Sequence, residues 1–300
     1  MEHVSFQDRI AANKRNSVFL MFFVFAFAIL IGWIIGEVYD PSTTIFFIAI
    51  ATGIAIAQIA YSYNYGDKVV LGITHARPAN ENNVKELHLI NLVEGLAIAG
   101  GVPKPKIYVI DSPEMNAFAT GKDPNHASIA VTTGLLNNLN REELEGVIGH
   151  ELSHVRNYDI RFATFIAVAV GLVAILSYMF TRSMLFGGGR SNSRERGNAG
   201  VLIIIGIVLA VVAPLVVRIV QMAISRQREY LADASSAQLT RYPAGLANAL
   251  EKIKGVNTGK MDVPEAVSHL FFVDPVKTSL DALYATHPPI EKRIQTLRAM

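Results

Sequence analysis

The chain of 300 residues contains no cysteine. No disulfide framework can form, thiolate metal ligands are excluded, and a reducing compartment imposes no handicap. Charge is sparse as well: 17% of residues are charged and the formal net charge is +2. So small a balance, with no basic block interleaved with aromatics, gives no ground for a nucleic-acid partner. Apolar residues make up 51% of the chain, and the mean hydropathy of +0.33 is high for a soluble enzyme.

Long uncharged runs account for that hydropathy. Residues 1–17 form a short polar tail with Arg9, Lys14 and Arg15. Residues 18–38 follow with no charge before Glu37. At about 20 residues the run can cross a hydrocarbon layer of roughly 30 Å. It is longer than the apolar core of a signal peptide, so we read it as a retained span. Gly32 and Gly36 form a GxxxG pair that lets another helix come close. Asp40-Pro41-Ser42 breaks the run, and residues 43–63 form a second one ending at Tyr61, Tyr63 and Tyr65, an aromatic cluster suited to a membrane interface. Residues 18–63 therefore predict a transmembrane hairpin. Residues 162–180 and 201–224 are two further runs, the last with a kink expected at Pro214. The connection 181–199, rich in Gly, Ser, Asn and Arg, is expected to be mobile. Residues 160–224 thus predict a second hairpin. The basic tail and Lys68, Arg156, Arg161, Arg226 and Arg228 near the span ends place the rest of the chain on the cytoplasmic side. Arg182, Arg190, Arg194 and Arg196 in the second connection run against that topology, and the preferred reading keeps both hairpins crossing.

Residues 64–159 and 225–300 have a different character. Residues 81–99 read as an amphipathic helix with Val84, Leu87, Leu92 and Leu96 inward and Gly100-Gly101 as its stop. Strands are expected at 107–110, 116–121 and 127–131, the last two separated by Asp123-Pro124-Asn125. A small sheet there presents either an edge for an extended peptide or only a support for the next helix. Residues 243–255 and 289–299 read as helices completing an α+β unit.

The stretch from Arg141 to Asp159 carries the chemistry. Asn140 with Glu143 three residues later is a helix start signal, and Leu144, Val147, Ile148, Leu152 and Val155 recur at helical spacing. On that helix His150 and His154, at i and i+4, share a face and suit one zinc ion. Glu151 points about 100° away, where a general base must sit. The bland alternative is an exposed polar face with satisfied histidines. A third ligand is expected at Glu229, because antiparallel third and fourth runs would return it to the level of the two histidines. Asp233, one turn further, is then placed to orient a ligand histidine. A solvated helix charge is the competing reading of Glu229.

The blocks His150-Glu151-x-x-His154, Glu229-Tyr230-x-Ala232-Asp233, Asn116-Ala117-Phe118-Ala119-x-Gly121 and His287-Pro288-Pro289-x-x-x-Arg293 resemble the signatures of the HtpX family of membrane zinc metalloproteases, kin of the CAAX prenyl endopeptidase. Their order and the four apolar runs extend the likeness over nearly the whole chain. The resemblance implies a mainly α membrane protein with four transmembrane helices and a zincin-like (gluzincin) α+β cytosolic peptidase domain. It implies one Zn2+ per chain on His150, His154 and Glu229, with Glu151 as catalytic base. It further implies that Asn116, Ala117, Phe118 and Ala119 form a substrate-binding edge strand, and that His287 and Arg293 help hold the substrate or the transition state. His287 is the candidate oxyanion donor, or else a structural histidine fixed by Pro288-Pro289. Arg293 could equally pair with Glu229 or Asp233. The implied role is quality control in the cell membrane, with misfolded or damaged membrane proteins and unfolded polypeptides as substrates. Rival readings are a processing peptidase for one prenylated or membrane-tethered substrate, and a non-catalytic membrane scaffold. The remaining histidines, His3, His75, His88, His126 and His269, read as exposed or packed.

Overall fold

The structure, a computed structural model, describes residues 6–39, 41–171, 226–275 and 287–300. Two long helices lead. Helix α1 runs Phe6–Tyr39 and α2 runs Thr44–Ile73, joined by a single 3-10 turn, Pro41–Thr43. They lie side by side because Gly32 and Gly36 remove the bulk between them. A Cβ on Gly36 would lie 2.4 Å from the Cα of Thr44, and one on Gly32 2.8 Å from the carbonyl of Phe47. The expected close helix approach at this pair is thus made within the first hairpin. Within residues 10–34 and 41–73, 18-residue windows have mean hydropathies of 2.6 and 2.0. Only 18% and 11% of them is buried, so Phe19, Phe22, Phe46 and Ile54 face outward. Both helices are long and apolar enough to cross a membrane.

Each helix also outlasts its apolar run. The polar segment expected as a tail is helical from Phe6, and α2 continues past the tyrosines to Ile73. Tertiary contact explains the extension. Asn13 is buried and donates its amide to the carbonyl of Asn157 at 2.8 Å and to Asp159 at 2.6 Å, while Val70 and Leu71 enter a core with Phe118 and Ala130.

A four-stranded sheet follows, built from β1 (Arg77–Pro78), β2 (Lys106–Ile110), β3 (Ala117–Gly121) and β4 (Ala127–Thr132). The order is β1-β2-β4-β3, with β2 and β4 parallel and the other pairs antiparallel. The three longer strands lie where short apolar runs set off by turn residues predict them, while two-residue β1 is too short to give such a signal. Helix α3 (Val84–Gly100) starts later than expected because Asn83 caps it, accepting from the amides of Lys85 and Glu86. Its inward face is also shifted. Val84 and Leu87 are exposed, whereas Leu89, Leu92, Val93 and Ala97 are buried, and Glu86 turns inward to meet Arg77 at 2.8 Å. Gly101 closes the helix in the left-handed conformation at φ 64°, as the double glycine predicts.

Helices α4 (Thr133–Asn138) and α5 (Arg141–Arg156) come next, then α6 at residues 159–171. The later segment supplies α7 (Arg226–Thr240), α8 (Pro243–Val256), the short α9 (Glu265–Ser268) and α10 (Ile290–Arg298). One core fills the space between the sheet and α3, α5 and α8, around Ile129, Val147, Ile148 and Leu250. A second lies on the opposite face of the sheet, where α2, α6 and Phe271 meet. The sheet is thus covered on both faces, which is why every residue of β3 and β4 is buried. Most of the expected second hairpin, with Pro214 and the connection 181–199, lies outside the described residues.

Candidate active site

Helix α5 begins on the predicted capping box. Asn140 accepts from the amide of Glu143 at 2.9 Å, and Glu143 accepts in return from the amide of Asn140 at 2.9 Å. Its apolar face enters the main core, and its other face carries Gly146 and Gly149. These two glycines let later helices come close: Ser236 of α7 donates to the carbonyl of Gly146 at 2.6 Å, and a Cβ on Gly149 would stand 2.8 Å from the Ser236 oxygen. Docked in this way, α7 brings Glu229 and Asp233 beside the histidines of α5.

Three donors converge. The Nε2 atoms of His150 and His154 are 3.1 Å apart. Glu229 reaches them with Oε2 at 3.6 Å from His150 and Oε1 at 3.5 Å from His154. All three ligand atoms lie within 4.8 Å of one another, and they form a group able to hold a metal ion. Each imidazole is oriented through its other nitrogen. His150 Nδ1 meets Asp233 at 2.9 Å and His154 Nδ1 meets Asp159 at 3.1 Å. With Nδ1–H directed at a carboxylate, the Nε2 lone pairs are left to face the shared point. Two imidazoles and one carboxylate, with no thiolate, form a donor set that fits a catalytic zinc with a coordination position left open.

Arg293, only 1% exposed, ties the cluster to α10. Its Nε and Nη2 donate to the two oxygens of Asp233 at 2.9 and 2.7 Å, and Nη1 donates to the carbonyl of Phe272 at 3.1 Å. Of the two partners left open for Arg293, Asp233 is the one engaged, while Glu229 stands 3.9 Å away. His287 lies just before α10 and meets Glu229 through Nδ1 at 3.0 Å.

Two buried polar atoms here have no hydrogen-bond partner among the described residues: Oε1 of Glu151 and Nε2 of His287. Both residues line a cavity of about 60 Å³ together with His150, His154, Glu229 and Ala119. Burial drives the Glu151 carboxyl above the usual carboxylate range, against the pull of the neighbouring histidines. For Glu229 burial acts in the same direction but loses: His287, His150 and His154 hold its carboxyl well below 4.5. Burial would lower the His154 imidazole, but its bond to Asp159 and the charge of Glu229 raise it to about 9. Asp233, despite burial, is held at about 2 by the Arg293 charge and the bond to His150.

The expected edge-strand residues divide. β3 is the outer strand of the sheet, yet its first half is already taken. Asn116 is fully buried, donating to the carbonyl of Val273 at 2.7 Å and accepting from its amide at 3.1 Å. Ala117 accepts from the amide of Phe272 at 2.8 Å, and Phe118 bridges Phe271. Ala119 alone of the four lines the cavity. His269, read as packed, is indeed buried with Nε2 3.1 Å from the carbonyl of Ala163, and it also borders the cavity. Asp159 is a site residue to which the sequence alone assigns no role. Its place depends on the turn after α5, where Tyr158 takes φ 61° and folds Asp159 back under His154. An acid five residues past the second histidine was the one available signal.

Peptidase family M48 matches residues 83–300. A protease HtpX homolog of Caldanaerobacter subterraneus is 48% identical over 252 residues, 82% of this chain and 83% of that protein. Another from Dictyoglomus thermophilum is 41% identical over 300 residues, the whole of this chain and 96% of the relative. Among solved structures, S. mikatae Ste24p superposes with a TM-score of 0.50 at 20% identity, over 96% of this chain and 66% of that one, a likeness of fold. Its helices, its convergent His–His–Glu group and these relatives make the chain a metalloprotease of peptidase family M48.

Proposed function

We propose that the protein is an integral membrane zinc metalloendopeptidase, with His150, His154 and Glu229 as the metal ligands and Glu151 as the general base. The observation that carries this reading is Oε1 of Glu151. It is buried, with no partner among the described residues, at the wall of the cavity where the three donors converge. A carboxylate so placed forgoes a hydrogen bond in the resting protein, which costs stability unless a reacting water supplies it.

When bound, zinc supplies Lewis acidity, polarising a carbonyl and acidifying water. Glu151 takes the proton of the attacking water and returns it to the leaving amine, for which its raised pKa suits it. His287 turns Nε2 into the same cavity; in its imidazolium form Nδ1–H donates to Glu229 and Nε2–H is placed to donate to the developing oxyanion. Asp233 and Asp159 fix the imidazoles, and Arg293 holds Asp233. An extended substrate enters beside Ala119, on the part of β3 that no described segment covers with a strand.

We place the site on the cytoplasmic face, with residues 64–159 and 225–300 forming the peptidase domain and the hairpins 18–63 and 160–224 forming four spans. The substrates we assign are misfolded or damaged membrane proteins and unfolded polypeptides, for which main-chain pairing at an edge demands little sequence. The test is cleavage of an unfolded model protein in detergent, with metal analysis, comparing wild type and Glu151→Gln. We expect unchanged metal content and a rate lower by about 10²–10⁴ or more. Equal cleavage by the pure variant would refute the assignment.

A further inference from the structure

A second cavity, of about 250 Å³, lies on the far side of the sheet, where α2 leaves its apolar stretch. Lys68, Lys106, Lys122 and Arg161 line it, with Asp67 as the single carboxylate. None of these four cations forms an ion pair among the described residues. Lys122 and Arg161 instead stack on the ring of Tyr63, at 5.1 and 5.9 Å from its centre. The cavity also contains an orphan: the hydroxyl of Ser128, a residue 1% exposed, has no hydrogen-bond partner among the described residues. A buried hydroxyl normally finds a partner, and uncompensated cations around it define the partner as an anion.

The walls say what kind. Met21 of α1 and Phe165 of α6 line the same cavity, and they belong to the apolar cluster of Leu20, Phe162 and Ile166, which Val24 and Ile59 of the two long helices pack against. One end is therefore cationic and the other apolar, at the level of Tyr61, Tyr63 and Tyr65. Basic pockets between spanning helices at the cytoplasmic boundary suit anionic lipid head groups. We propose that this cavity binds the phosphate of an anionic phospholipid, with Ser128 donating to the phosphate oxygen and the acyl chains leaving along Met21 and Phe165. This assignment rests on the membrane placement proposed above. The site also touches the peptidase: Thr164 at its wall accepts from the amide of Gly121 at 3.0 Å, and Gly121 ends the strand that carries Ala119.

The test is retention of lipid by the full chain, read by native mass spectrometry after reconstitution into phosphatidylcholine nanodiscs with or without phosphatidylglycerol. Wild type should retain phosphatidylglycerol, and Lys68→Gln/Lys106→Gln/Lys122→Gln should lose about tenfold to a hundredfold of that retention at low salt. Ser128→Ala, which keeps all charges, should lose part of it. Equal retention by wild type and the triple variant overturns the proposal. Displacement of the lipid by millimolar inorganic phosphate also overturns it, assigning the cavity to a soluble phosphate ester. Failure of the membrane placement would appear separately, as a chain that does not enter phosphatidylcholine nanodiscs at all. Failure of the peptidase assignment would appear in lipid-free detergent, where the triple variant should cleave as wild type does.

Discussion

Asp233 and Arg293, sixty positions apart, form a two-bonded pair in which both side chains are almost wholly buried, at 2.7 and 2.9 Å. The same carboxylate orients His150, so the pair is at once a structural joint between α7 and α10 and a support for the candidate metal site. Planar guanidinium and carboxylate match in two parallel bonds, which a lysine could not reproduce.

Asp233→Asn should therefore show two defects. Removing one partner leaves Arg293 charged and buried, which costs about 3–5 kcal/mol. His150 also loses its orienting acceptor, which lowers metal affinity about 10–100-fold. Thermal unfolding and a zinc titration read the two separately. An unchanged melting temperature would show that the pair carries no stability.

The same group sets an acid limit. Its folded pKa of about 2 lies below the ordinary value of 3.8, so the charged form is favoured by folding. The resulting stability is present above about pH 4 and is lost as pH falls towards 2, an amount on the order of 2 kcal/mol. Denaturant midpoints measured between pH 5 and 2 should fall in wild type and fall less in Asp233→Asn. Parallel slopes in the two proteins would contradict this origin.

Asp159→Ala tests the residue that only the folded chain reveals. His154 would lose its Nδ1 partner and Asn13 one of its two acceptors. Zinc affinity should drop about 10–100-fold, with the ligands His150, His154 and Glu229 and the base Glu151 all intact. Metal analysis after dialysis against a weak chelator gives the answer, and wild-type retention would remove Asp159 from the site.

Gly146→Ala should be costly although it touches no catalytic atom. Its Cβ would stand 2.7 and 2.8 Å from the backbone N and Cα of Leu246, atoms that cannot rotate away. Forcing α5 and α8 apart is expected to cost about 1–3 kcal/mol. Calorimetry of the variant should show a clear fall, whereas a neutral result would mean the helices separate freely.

Local signals were the legible part of this protein. The capping box of Asn140 and Glu143, the short apolar strand runs, the Gly100-Gly101 stop and the GxxxG pair are short-range patterns, and each stands where its residues predict it. Phase and boundary were harder. In α3 the outward Val84 and Leu87 look as apolar as the inward Leu89 and Val93, and the rotation is visible only in the folded chain, where Leu89, Leu92 and Val93 enter the core and Glu86 meets Arg77. The extra turns of α1 are equally silent in a polar segment, because Asn13 is held by residues far along the chain. The edge strand was readable as a strand, but not the fact that Phe271 and Val273 cover its first half.

By itself the sequence determined which atoms can do chemistry: two imidazoles on one helical face, a glutamate between them, and no thiol anywhere. Those properties depend on residue type and on the 3.6-residue period, which need no distant partner. Only the tertiary structure decided that Asp159 holds His154, that Arg293 chooses Asp233 over Glu229, and that Asn116 is engaged by Val273. Such choices are made by long-range packing, in which close glycine contacts and buried charge pairing select one arrangement among many that the local pattern allows.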